Sequence, residues 1–369
     1  MQKRKLKVII SGGGTGGHIF PAVAIAQSLM KMNPENEILF VGANGRMEME
    51  KVPAAGFNIV GLNIAGFQRR LTFSNVLLPF KIIGSLLKAR SIVKTFRPDV
   101  AVGVGGYASG PMLFAATWLK IPSLIQEQNS FAGVTNRILS KRVNRICVAY
   151  EGMEQYFPKN KIRLTGNPVR ADLQYLKTKR EEAFNYFGLD PEKSVVLVIG
   201  GSLGARTINL AMAEGLDRFT KEDIQIVWQT GKSGFAIANE KTSGKSNQGV
   251  RVFEFIQRMD LAYAVADVVV SRAGASSVSE LALAEKAAIL VPSPNVAEDH
   301  QTKNAMALVR KEAAWLVSDR DAASQLVDKT ISLIKNQHSK QLLSNKIAAM
   351  ALPGAAGIIA EEVYQLAGS

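Results

Sequence analysis

The sequence predicts an α/β fold of two doubly wound units, each with its own parallel sheet. Three observations predict it. Short Val/Ile-rich runs alternate with helical stretches from end to end. Such a run breaks into a glycine-rich turn twice, near residue 12 and again near residue 200. The length of 369 residues suits about two domains. Strands separated by helices form βαβ units, whose crossovers make the strands parallel.

The elements follow in order. Residues 7–11 (KVIIS) read as a strand, followed by a glycine loop and a helix over about 21–30. Residues 37–42 (EILFVG) are a second strand. Residues 99–103 (DVAVG) and 122–126 are strands flanking a helix near 112–118, and 144–149 and 161–165 are further short strands. The pattern restarts at 194–199 (SVVLVI), runs into GGSLGAR and a helix, and continues through strands at 224–229, 250–253, 267–270 and 287–291. The stretch from Asn167-Pro168-Val169-Arg170 to Glu182 is the candidate hinge, and 242–249 (TSGKSNQG) reads as a surface loop. Ligands of open parallel sheets bind beyond the carboxyl ends of the strands, so two such units are expected to face each other across a deep cleft.

Composition narrows the class. The chain is 47% apolar and 21% charged, a globular balance, and long enough to bury a core without cross-links. Cys147 is the only cysteine, so no internal disulfide forms, which fits a reducing cytosol. The basic N-terminus is followed by only a short apolar run, unlike a secretory signal. No stretch reaches the ~18–20 apolar residues of a spanning helix, so a soluble or peripheral protein is expected. The net charge of +14 can attract nucleic acid, anionic lipid headgroups or an acidic substrate, and where it sits matters more than its total. No nucleic-acid module or basic–aromatic interleaving is present, which leaves lipid headgroups and phosphates rather than nucleic acid.

The first loop, Gly12-Gly13-Gly14-Thr15-Gly16-Gly17-His18, lets backbone N–H groups approach a ligand at a helix start, where negative charge is favoured. Gly12, Gly14 and Gly17 also fit a dinucleotide spacing, but the second strand ends Gly42-Ala43-Asn44, without the acid that would hold a nicotinamide ribose. The bland alternative is a turn serving strand–helix packing alone. Histidine is the side chain whose ordinary value lies near neutrality, so His18 suits either a general base or a helix-capping role. Gly105, Gly106 and Tyr107 belong to a second loop, GVGGYASGP. In Gln126-Glu127-Gln128-Asn129, Glu127 offers a carboxylate and its neighbours offer amides for sugar hydroxyls, or they form an ordinary strand-end turn. In the second half, GGSLGAR lacks the Lys-Ser/Thr ending of a Walker loop. Ser271 to Glu280 (SRAGASSVSE) is a hydroxyl-rich helix start suited to a diphosphate, with Glu280 placed to accept ribose hydroxyls or simply solvated. Residues 298–305 (EDHQTKNA) supply a third polar cluster.

Taken together, GGGTGGHIFPA, GGYASGP, QEQN, TGNPVR, GGSLGAR and SRAGASSVSE, in this order, resemble the MurG family over nearly the whole chain. That family comprises the UDP-N-acetylglucosamine:lipid I N-acetylglucosaminyltransferases of peptidoglycan synthesis. The resemblance implies a GT-B fold, with residues 1–168 forming an acceptor and membrane-associated domain. Residues 169–351 would bind UDP-GlcNAc, and a C-terminal helix at about 352–369 would return to the first domain. It implies donor contacts at Thr15, Gly16, Gly17, Asn129, Arg170, Ser202, Ile256, Ala275, Ser276, Ser277, Val278, Ser279, Glu280 and Gln301. The acceptor diphosphate would face Gly13, Gly14, Gly105, Gly106 and Tyr107. The base would be His18 or Glu127, with no metal and no cofactor. Gln126 stands where the family commonly has histidine, which shifts weight onto those two.

The resemblance also accounts for the charge. Residues 67–96 mix Phe73, Leu77, Leu78, Phe80, Ile82, Ile83, Leu86 and Leu87 with Arg69, Arg70, Lys81, Lys88 and Arg90. Singly, these apolar residues are expected in the core. As a segment they suit the headgroup region of an anionic membrane. The expected location is the cytoplasmic side of the bacterial inner membrane, peripherally bound, near other cell-wall synthesis proteins. The alternatives are another GT-B enzyme such as a UDP-GlcNAc epimerase or a transferase with a soluble acceptor, a non-catalytic sugar-nucleotide regulator, and, distantly, a dehydrogenase.

Overall fold

The computed structural model describes residues 3–64, 78–201, 204–244 and 248–368. The chain divides into two units, Met1–Val169 with Gly354–Ser369, and Arg170–Pro353.

The strands of the first unit are β1 (Lys7–Gly12), β2 (Glu37–Ala43), β3 (Asn58–Leu62), β4 (Val100–Gly105), β5 (Ser123–Glu127), β6 (Arg145–Val148) and β7 (Ile162–Leu164). They form one sheet in the order β3-β2-β1-β4-β5-β6-β7, every pairing parallel. Successive side chains of a strand point to opposite faces. Accordingly Val8, Ile10, Val100 and Val102 join one apolar cluster, while Ile9 and Ala101 join another on the other face. The second unit repeats the plan with β8 (Val195–Ile199), β9 (Gln225–Gln229), β10 (Val250–Phe253), β11 (Val268–Ser271), β12 (Ala287–Leu290) and β13 (Trp315–Leu316), ordered β10-β9-β8-β11-β12-β13 and all parallel. All five residues of β8 are buried, as expected of a strand covered on both faces. In each sheet the order reverses beside the first strand, between β1 and β4 and between β8 and β11. That is the switch point where such sheets bind ligands.

The first helix spans Gly16–Met32, so Pro21, read from the sequence as its start, lies inside it. β3 and the two-residue β13 went unpredicted. Gly61 interrupts the apolar run of β3, and β13 is too short for a pattern.

The helix Ala355–Gly368 packs on the first unit, where Ile359, Ala360 and Val363 enter the same cluster as Ile25 and Leu29 of the Gly16–Met32 helix. Polar contacts fix it there. Tyr364 Oη hydrogen-bonds Asn36, and Arg145 pairs with Glu362 at 2.7 Å. Ile359 is fully buried, so Ile359→Ala is expected to destabilise the first unit by about 2–5 kcal/mol, read as a lowered midpoint in urea unfolding.

The helix Leu78–Phe96 buries Ser85, Ala89 and Val93 and leaves Ile82, Ile83 and Leu87 exposed. The expectation that each of these three faces the core is therefore corrected, because only one stripe of the helix meets the unit. Trp118 is also exposed, with the Arg90 guanidinium 5.5 Å above its ring. Phe73, Leu77, Arg69 and Arg70 lie outside the described residues, as do the side chains of Leu78, Phe80 and Lys81. Among the described residues no helix is long and apolar enough to cross a membrane.

Candidate active site

In the first unit three loops meet at the carboxyl ends of β1, β4 and β5. Thr15 is extended and opens the Gly16–Met32 helix, and its Oγ1 lies 3.2 Å from His18 Nδ1. The other edge of the His18 ring lies over Gly105. A Cβ built there would stand 2.9 Å from Nε2 and 2.8 Å from Cδ2, so glycine is what lets the imidazole reach this position. Gly105 also has φ +93°, a conformation side chains rarely adopt. Gly106 packs equally closely, with its would-be Cβ 2.2 Å from Gly13 O. Tyr107 stands half-exposed beside them.

One amide of this loop already has a partner. Gly14 donates its N–H to Glu48 Oε2 at 2.8 Å, so that amide is not offered to an acceptor phosphate. Glu48 itself was not singled out. It follows β2 in a charged stretch, GRMEMEK, which reads as the exposed start of a helix, yet it is fully buried.

Glu127 is buried and fully engaged. Its Oε1 accepts from Asn129 N (3.1 Å) and Asn129 Nδ2 (3.2 Å), and its Oε2 from Gly133 N (3.0 Å) and Asn136 Nδ2 (2.9 Å). Four donors fill the four lone-pair sites of a carboxylate. The group is therefore built to shape the 128–133 loop and to hold Asn129, and a role as base would require breaking this set. Glu127→Gln replaces one acceptor with a donor facing donors. It is expected to cost about 1–3 kcal/mol, measurable by thermal unfolding.

Gln126 also belongs to the scaffold. It is fully buried, donates to Asn167 Oδ1 at 3.0 Å and accepts from Gln128 Nε2, while Asn167 Nδ2 donates to Gln128 O at 3.0 Å. The residue standing in place of the family's histidine thus ties the end of β5 to the TGNPVR turn.

In the second unit the loops after β8, β11 and β12 carry the remaining candidates. The helix Ala275–Leu283 begins after Gly274, and the first turn closes with Val278 N donating to Gly274 O at 2.9 Å. The amides of Ser276 and Ser277 lie before that bond, at the positive end of the helix. Ser276 Oγ is buried without a hydrogen-bond partner among the described residues, a hydroxyl left to donate. The Val278 side chain is buried and its amide closes the first turn of the helix.

Glu280 Oε1 accepts from Arg170 Nε at 3.1 Å and its Oε2 from Tyr263 Oη at 3.2 Å. Tyr263 is fully buried. Burial first, then the adjacent Glu280 carboxylate, push its phenol well above its ordinary value near 10, so it remains a donor. This tyrosine gave no signal in the sequence, lying in the apolar run LAYAVADVVV. Ile256 is buried and gives its N–H to Gln229 Oε1 at 2.9 Å. Gln301 Oε1 accepts from Ser293 N at 2.8 Å, and Asn304 ties its helix to Ala273 O. Glu298 and Asp299, immediately before, both have left-handed φ of 53°, backbone strain of the kind that collects at ligand sites. Ser202 lies outside the described residues. The one Asp-x-Asp sequence here, Asp319-Arg320-Asp321, is spent on structure. Asp319 pairs with Arg272 and accepts from Thr207, while Asp321 accepts from Ser318.

Comparison with known proteins gives the family. The glycosyltransferase family 28 N-terminal domain matches residues 8–148, and the C-terminal domain of the same family matches residues 195–359. A Parabacteroides distasonis protein named UDP-N-acetylglucosamine--N-acetylmuramyl-(pentapeptide) pyrophosphoryl-undecaprenol N-acetylglucosamine transferase is 53% identical, covering 98% of this chain and 99% of its own. A Phocaeicola vulgatus protein of the same name is 54% identical over 99% of this chain and 97% of its own. Among solved structures, Acinetobacter baumannii MurG superposes with TM-score 0.78 at 28% identity, covering 98% of this chain and all of that one. A Neisseria meningitidis UDP-GlcNAc 2-epimerase, at TM-score 0.65 and 16% identity, shares the fold alone. A fold shared by both chemistries does not choose between them, whereas half-identity along the whole length does, and the chain belongs to glycosyltransferase family 28 and, within it, to the MurG family.

Proposed function

We propose that this chain transfers N-acetylglucosamine from UDP-GlcNAc to the C4 hydroxyl of N-acetylmuramic acid in lipid I, completing the disaccharide of lipid II for peptidoglycan synthesis. The observation that carries the reading is its near-full-length identity of about one half to transferases named for this reaction. The site chemistry is consistent with it. The first unit takes the acceptor, and the second takes UDP-GlcNAc.

In the mechanism, Thr15 Oγ1 accepts Nδ1–H of His18, which leaves Nε2 as the base over Gly105. The acceptor C4 oxygen attacks the anomeric carbon from the face opposite the nucleotide. Its proton passes to Nε2, the bond from the anomeric carbon to the diphosphate oxygen breaks, and configuration inverts. The leaving UDP gathers charge at the start of the Ala275–Leu283 helix, where Ser276 and Ser277 supply amides and hydroxyls. Glu280 accepts the ribose hydroxyls. Glu127 holds Asn129 and the loop around it rather than moving a proton.

The exposed Ile82, Ile83, Leu87 and Trp118, set among Lys88 and Arg90, would rest in the headgroups of an anionic membrane at its cytoplasmic face. Changing both Ile83 and Leu87 to serine is expected to remove roughly 2 kcal/mol of apolar insertion. Partition into phosphatidylglycerol vesicles should then fall about 30-fold in a sedimentation assay.

The functional test is UDP release measured with and without a short-chain lipid I analogue. A transferase releases UDP rapidly only when the acceptor is present. Acceptor-independent conversion of the sugar nucleotide to its 2-epimer would overturn the reading in favour of an epimerase.

A further inference from the structure

Glu48 is a fully buried carboxylate that the mechanism above does not use. It begins the short helix Glu48–Ala54, directly after β2. Its two oxygens bridge two backbone segments: Oε1 accepts from Ala43 N at 2.9 Å and Oε2 from Gly14 N at 2.8 Å. The fit around it is tight. A Cβ at Gly13 would come within 2.2 Å of Oε1, and one at Gly42 within 2.5 Å of its Cγ. Glycine at both positions makes room for this side chain.

The bond to Gly14 reaches the reacting end of the unit in two steps. Gly14 has φ +87°, a conformation open to glycine but one among many that it can adopt, and the bond to the buried Glu48 carboxyl fixes it there. The next residue is Thr15, whose carbonyl accepts from His18 N at 3.1 Å and whose hydroxyl meets His18 Nδ1. A shift at Gly14 therefore moves both the backbone and the side-chain hold on the imidazole.

We infer that Glu48 is a positioning residue: by pinning Gly14 against the end of β2 it sets Thr15, and through Thr15 the tautomer and placement of His18. The inference deepens the functional reading and rests on His18 being the base. It also gives a carboxyl under this loop a task that an apolar side chain could not perform, since the amides of Gly14 and Ala43 would then lose their acceptor.

The test uses the full chain with 15N-labelled histidine and the variant Glu48→Gln, which keeps shape and one acceptor but turns an amide donor toward the other N–H. Imidazole resonances are recorded for His18, His300 and His338, and transfer is measured beside them. The expected result is a displaced His18 signal with His300 and His338 unmoved, and kcat down about 10- to 100-fold with the affinity for UDP unchanged. Should Glu48→Gln not fold, Gly13→Ala displaces the carboxylate by crowding and is expected to shift the same resonance. An unmoved His18 signal with wild-type kcat overturns the inference, and so does an activity loss that matches an equal fading of all three histidine signals. If wild type transfers no sugar, the functional reading fails while the resonance shift still decides whether Glu48 positions His18.

Discussion

Replacing His18 with alanine is expected to lower kcat for sugar transfer by about 10²–10⁴-fold, the usual contribution of a positioned general base. Affinity for UDP should stay near the wild-type value, because the groups proposed to hold the diphosphate and ribose, Ser276, Ser277 and Glu280, lie in the second unit. The size follows from geometry as well as from proton transfer. Thr15 holds one nitrogen of the ring, and the absence of a side chain at Gly105 opens the space beside the other. Thr15→Val, which keeps the shape but removes the hydroxyl, should show a smaller loss in the same direction. Steady-state kinetics with each substrate varied separately checks both variants. A His18→Ala enzyme with kcat near wild type would move the base elsewhere, and Glu127 would then have to break its four hydrogen bonds to serve.

The second large effect is expected at the other substrate. Glu280→Ala should weaken UDP-GlcNAc binding about 10- to 100-fold, as expected when hydrogen bonds to a charged group worth roughly 1.5–3 kcal/mol are lost. The carboxylate is held from both sides, by Arg170 and by Tyr263. Tyr263→Phe removes one of those holds without touching the ligand and should weaken binding several-fold. Because the two residues act as a unit, the double variant should lose less than the sum of the single losses. Calorimetric titration with UDP measures all three. Wild-type affinity in Glu280→Ala would remove this carboxylate from the ribose site.

The parts of this molecule legible in the sequence are those that depend on local pattern. A strand such as Val195–Ile199, covered by helices on both faces, reads as an unbroken apolar run, and a glycine loop after it needs no further context. The parts that were not legible are decided by partners far along the chain. Glu48 looks like one of several helix-surface acids until the sheet brings Gly14 and Ala43 to it. Gln126 reads as a departure from a catalytic pattern, yet its environment is a closed set of buried amides. Ile82, Ile83 and Leu87 are apolar in composition, but only tertiary packing decides which stripe of their helix meets the core. Val278 lies in the hydroxyl-rich helix start that the sequence marks as a candidate ligand site, yet its own side chain points inward, because a helix packed on a sheet must bury one face.

The most direct measurement is transfer of labelled N-acetylglucosamine from UDP-GlcNAc to a short-chain lipid I analogue by the purified chain, with the anomeric configuration of the product read by proton NMR. The account predicts a labelled disaccharide lipid with a β linkage, formed at a rate that falls in His18→Ala. UDP-GlcNAc that binds without any label reaching the lipid, or a product of retained α configuration, would contradict it.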